Sequence, residues 1–131
     1  MSENPDVGKI GWIDLTVKDA SEVKDFYKAV VGWEVSAVSL GDYDDYCVAP
    51  PADAESPVAG ICHKRGSNEN IPSQWMMYIT VANLSESMQN AEKLGGKVVC
   101  PERDMGSYGK VCVVQDPAGA VCALIEPPKD S

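Results

Sequence analysis

The chain has 131 residues, 44% of them hydrophobic, with twenty acidic against eleven basic side chains and a net charge of −9. That length and apolar content suit one folded domain with its own core and exclude wholesale disorder. The charge repels phosphate backbones, which excludes nucleic acid as a partner class, and no apolar run approaches the roughly 18 to 20 residues of a membrane span.

The start, Met1 to Asp6, is polar and acidic, unlike a signal peptide, so the expected location is the cytoplasm. Cys47, Cys62, Cys100, Cys112 and Cys122 are odd in number, lie in apolar runs and lack C-x-x-C spacing. The pattern predicts free, mostly buried thiols.

The first predicted element is a strand over Ile10 to Val17, with Ile13, Leu15 and Val17 on one face and Trp12, Asp14 and Thr16 on the other. Asp19 and Glu22 form an N-cap and capping box, and Val23, Phe26, Tyr27, Val30 and Val31 then recur as one helical stripe that Gly32 ends. Strands follow at Val35 to Ser39, Tyr43 to Val48 and Val58 to His63, parted by turns such as Pro50 to Asp53.

The segment from Lys64 to Ser73, rich in Gly, Ser, Asn and Pro, is a joint, and beyond it the order recurs. Trp75 to Val81 reads as a strand; Asn83 and Glu86 are a capping pair; Leu84, Met88 and Ala91 mark a helix that stops at Gly95 and Gly96. Strands are predicted over Val98 to Cys100, Gly109 to Val114 and Ala120 to Ile125. Val17 to Val81, Asp19 to Asn83, Glu22 to Glu86 and Gly32 to Gly96 are all offset by 64, which argues for an internal duplication. Each half is then β-α-β-β-β. Four strands and one helix cannot cover both faces of a sheet, so the two halves should make one domain, with both helices behind the sheets and a concave face opposite.

This organisation, with the segments DASEVKDFYKAVVGWEV and QDPAGAVCALIEP, resembles the vicinal oxygen chelate superfamily of glyoxalase I, methylmalonyl-CoA epimerase, extradiol dioxygenases and the bleomycin- and fosfomycin-resistance proteins. The resemblance implies an α+β fold of two tandem βαβββ modules, about 8–64 and 74–127 within a single domain 1–131, forming a curved, mostly antiparallel sheet around a cavity with helices on the outer face. It also implies a homodimer.

Catalytic members of that superfamily hold a divalent metal with side chains from the first and last strands of each repeat. Carried over by register, those positions fall on Trp12, Gly60, Met76 and Ala123, none of which binds a hard divalent ion. The expected state is therefore metal-free, with Asp14, His63 and Glu126 as a displaced site if a metal is bound after all. His63 otherwise reads as a solvated side chain at a strand end, and Glu126 as an exposed carboxylate before Pro127.

Asp14 lies mid-strand on the face expected to look into the cavity, where a carboxylate must find a partner or shift its pKa. The candidates for that partner are Arg103, Lys110 and Tyr108. Trp12, Asp14, Cys62, Met76, Tyr78, Tyr108 and Ala123 are the expected lining of a small-molecule site, apolar and aromatic with few polar groups. Three functions compete: a metal-free binder of a small hydrophobic or aromatic compound; a glyoxalase-like lyase, isomerase or dioxygenase using a displaced metal or an acid/base pair of Asp14 with Tyr78 or Tyr108; and an interaction module with a plugged cavity.

Overall fold

Each half of the chain folds as a β-α-β-β-β module in the computed structural model, which describes residues 4–128. The first comprises β1 (Ile10–Val17), α1 (Ala20–Val31), β2 (Glu34–Ser39), β3 (Asp44–Ala49) and β4 (Ala59–His63). The second comprises β5 (Trp75–Thr80), α2 (Leu84–Lys93), β6 (Lys97–Asp104), β7 (Lys110–Gln115) and β8 (Val121–Glu126). The fold class is α+β. Among the described residues, 12–75 form one compact unit and the remainder form the other. No helix among them is long and apolar enough to cross a membrane.

Within the first unit the strand order is β2-β3-β4-β1 and within the second β5-β8-β7-β6. In each, the module's first and last strands run parallel, with Asp14 beside Gly60 and Tyr78 beside Ala123, and the other neighbours are antiparallel. A parallel pair needs a crossover, and here the whole α-β-β segment between the two strands supplies it. Before β1, Gly8 N donates to Thr80 O at 2.8 Å and Thr80 N to Lys9 O at 3.0 Å, so the entry to β1 lies along β5 inside the second unit.

Both helices begin alike. Asp19 Oδ1 accepts the Glu22 N–H at 3.1 Å and Asn83 Oδ1 accepts the Glu86 N–H at 3.0 Å, each cap satisfying a donor that the first helical turn leaves open. Their ends differ. Gly32 takes the left-handed φ of 87° after α1, but after α2 that role falls to Gly95 (φ 95°). Gly96 is needed for another reason, since a Cβ there would collide with Gln115 O and crowd Ala91 O. The repeat is therefore one residue shorter at this point than the Gly32–Gly96 offset suggests.

Leu15, Ala20, Val48, Ala59 and Ile61 form the core under α1, joined by Val23, Tyr27, Trp33 and Trp75. Trp75 Nε1 donates to Tyr27 Oη at 3.0 Å, which settles the polar ends of both rings inside that cluster. Leu84, Cys112 and Val114 play the same part under α2, with Met88, Ala91 and Leu124. The five-residue stripe expected on α1 is only partly used. Val23 and Tyr27 pack inward, whereas Phe26, Val30 and Val31 are 57%, 65% and 50% exposed, because one small sheet covers only one side of the helix.

β6 also departs from expectation, continuing through Pro101 to Asp104 rather than ending at Cys100. Register shifts bracket the proline, between Val98 and Cys100 and again between Cys100 and Arg103. In the unit's strand order β6 lies at an end, where a residue without an N–H costs no second ladder.

Candidate functional site

Alternation sorts the first module's strands into two faces. Leu15, Ile61 and Val48 turn toward α1, so Trp12, Asp14 and Thr16 of β1, Gly60 and Cys62 of β4, and Asp45 and Cys47 of β3 share the opposite face. Asp14, Gly60 and Cys47 are direct neighbours across three strands.

The Asp14 carboxylate is held by its own strand. Trp12 Nε1 donates to Asp14 Oδ1 at 2.6 Å, a short charge-assisted bond between residues two apart on one face. The bonded pair lies over Gly60. A Cβ at position 60 would collide with Asp14 Oδ1 and come 3.5 Å from Trp12 Nε1. Lys110, one partner expected for Asp14, has its Nζ 3.9 Å from Glu102 Oε2.

The thiols of this face are poor nucleophiles. Burial pushes Cys62 far above the usual thiol range, and the Asp14 and Asp45 charges and a hydrogen bond to Asp45 push it further. Cys47 is raised by burial first and by the same two carboxylates. Asp45 is a residue the sequence does not signal, because its partners depend on the β3–β4 pairing.

His63 is not the solvated side chain its neighbours Lys64 and Arg65 suggest. Its ring lies 5.5 Å from Tyr43 and 6.2 Å from Tyr46, centroid to centroid, and is only 17% exposed. Its main-chain N–H donates to Asp45 Oδ1 at 2.8 Å, while Nδ1 is 3.4 Å from the same oxygen. Beside Val17 in the register, it belongs to the α1 face and so does not converge with Asp14.

In the second module Met76 and Ala123 are 1% and 0% exposed, Tyr78 is half-buried beside Ala123, and Tyr108 is 74% exposed in the turn Gly106–Tyr108. Glu126 is committed rather than idle. Its Oε1 accepts the Leu84 N–H at 2.7 Å and so caps the first turn of α2, a long-range contact that nothing local in the sequence announces. An open groove of about 330 Å³ along α2, lined by Val7, Thr80, Asn83 and Asn90 among others, contains none of the expected ligand residues.

A divalent metal at the superfamily's positions does not fit these residues. The Trp12 nitrogen carries a proton already donated, Gly60 has no side chain, Ala123 offers only a methyl group and Met76 a soft thioether. Of the displaced set, Glu126 caps α2, and His63 lies across its own sheet from Asp14. Among the described residues no three of His, Cys, Asp and Glu are grouped to hold an ion.

A family model described as the Glyoxalase/Bleomycin resistance protein/Dioxygenase superfamily matches residues 9–124. The chain belongs to this superfamily. Among its relatives is the Mycobacterium tuberculosis protein CFP32, provisionally named a glyoxylase, 28% identical over 122 residues that make up 93% of this chain and 45% of that one. Another is the anthracycline biosynthesis protein DnrV of Streptomyces peucetius, 28% identical over 127 residues, 89% of this chain and 46% of the relative. The chain thus spans about half the length of the curated relatives it matches. Methylmalonyl-CoA epimerase from Mycobacterium tuberculosis has the same fold, with a TM-score of 0.53 at 16% identity, covering 98% of this chain and 94% of that one. A hypothetical protein from Bacillus halodurans aligns with a TM-score of 0.57 at 11% identity, over 95% and 97% of the two chains.

Proposed function

We propose that this superfamily member works without a metal, as a single glyoxalase-like cytoplasmic domain that dimerises and binds a small hydrophobic or aromatic molecule. The observation that carries the reading is the refilling of the ligand positions, Trp12 bonded to Asp14 over Gly60 in one module and Met76 with Ala123 buried in the other. Trp12, Asp14, Cys62, Tyr78 and Tyr108 are the proposed ligand contacts, with Met76 and Ala123 as apolar backing. A relative named for anthracycline biosynthesis agrees with this, anthracyclines being fused-ring aromatic compounds.

The test is a titration of metal-stripped protein with zinc, nickel, manganese and iron(II), followed by a tryptophan-quenching titration with an anthraquinone. No stoichiometric metal, together with quenching that W12F abolishes, supports the reading. One tightly held ion per chain refutes it. The second reading is metal-independent acid/base chemistry by Asp14 with Tyr78 or Tyr108, favoured by the fixed orientation the indole gives Asp14. Turnover that D14N abolishes while aromatic binding persists would select it.

A further inference from the structure

In the first module the residues at the superfamily's metal positions do more than lack donor atoms: they hold one another. Trp12 Nε1 reaches Asp14 Oδ1 at 2.6 Å, and that oxygen stands where a side chain on residue 60 would begin. Gly60 is buried between Asp14 on β1 and Cys47 on β3, the middle of a three-strand row. It does not have a left-handed φ, so its backbone would accept any residue. Space alone demands glycine there.

We infer that Trp12, Asp14 and Gly60 are an interlocked replacement for the metal position, in which Gly60 gives room, Trp12 orients, and Asp14 is fixed as a carboxylate on the sheet face. The inference rests on the metal-free reading above and goes further, since it makes the three positions interdependent. A ligating residue at 60 would displace Asp14, and a histidine at 12 alone would still meet the Asp14 carboxylate over Gly60. The exchange also inverts the local chemistry. A metal ion accepts electron pairs from substrate oxygens, whereas a carboxylate donates them, so a compound that chelates through adjacent oxygens finds no partner here. Trp12 and Gly60 are accordingly positioning residues.

The experiment follows the indole N–H resonances of Trp12, Trp33 and Trp75 in the ¹⁵N-labelled full chain, with W12F to assign the first. The Trp75 indole, bonded to Tyr27, is the internal control. D14N, which keeps the side-chain shape, and G60A, which pushes a methyl group into the carboxylate, should each shift the Trp12 signal upfield and leave the other two in place. Excess zinc chloride should move none of the three. A Trp12 signal indifferent to D14N, or to G60A in a protein whose Trp33 and Trp75 signals are native, overturns the interlock; so does zinc that shifts Trp12 in the wild type but not in D14N. Zinc bound elsewhere, with the Trp12 signal in place and still sensitive to D14N, upholds the interlock while refuting the metal-free function.

Discussion

Removing the Glu126 carboxylate separates a structural from a functional role for that residue. Its Oε1 accepts the N–H of Leu84, the first residue of α2, and Leu84 is 0% exposed, so little solvent stands ready to replace the lost acceptor. A hydrogen bond to a charged group contributes about 1.5 to 3 kcal/mol, and the favourable end of the helix dipole adds roughly 0.3 to 1 kcal/mol. Glu126→Ala should therefore cost about 2 to 4 kcal/mol. Glu126→Gln keeps an acceptor and loses the charge, for about 1 kcal/mol. With about 2.1 cal/mol/K of unfolding entropy per residue, the alanine variant should melt roughly 7 to 15 °C lower. Urea and thermal unfolding of the wild type and both variants measure this directly. An alanine variant within about 0.5 kcal/mol of wild type would refute the capping argument, as would unchanged stability accompanied by loss of metal or ligand binding.

Gly109 has φ 107° and lies against Glu126 O so closely that a Cβ would collide with it, so Gly109→Ala should destabilise by at least the roughly 1 to 3 kcal/mol of a strained backbone site. Thermal melts within about 0.5 kcal/mol of wild type would contradict this. Trp75→Phe removes the donor to Tyr27 Oη and should cost about 1 kcal/mol in urea unfolding, a loss that Tyr27→Phe in the same background should not deepen by as much again. The thiols predict an alkaline slope. Burial raises all five, Cys112 to about 11, so their contribution to stability is intact below the ordinary thiol value of 9.0 and is lost as pH rises through the raised values. Melting temperature should fall between pH 9 and 11, less steeply in Cys112→Val, and a curve equally steep in that variant would count against it.

How far the sequence speaks depends on the range of the interaction. Helix caps, strand alternation and the duplication rest on residues a few places apart, and Asp19, Asn83 and the strands other than β6 are where that pattern puts them, to within a residue. The end of α2 and the length of β6 depend on tertiary packing, at Gly96 against Gln115 O and at Pro101 on an outer strand, and neither shows in local composition. In the candidate site, Trp12, Asp14 and Gly60 could each be singled out by register, but not the fit of the Trp12–Asp14 pair over Gly60, which exists only once β1 lies beside β4. The surroundings of Glu126 and His63 stay out of reach for the same reason, since a carboxylate 42 residues from its partner N–H and a ring between two tyrosines carry no local signature.

The parallel pairing of first with last strand sets how each module must be made. Asp14 meets Gly60, and Tyr78 meets Ala123, only after nearly the whole module has left the ribosome, so loop-closure entropy is spent before the central contacts are gained. The β2–β3 and β7–β8 hairpins can form early, but a chain that stops before Ala59 leaves β1 without the neighbour that orders it. Refolding should thus be limited by module closure, and substitutions at the β1–β4 seam should slow folding more than equally destabilising ones in the hairpins.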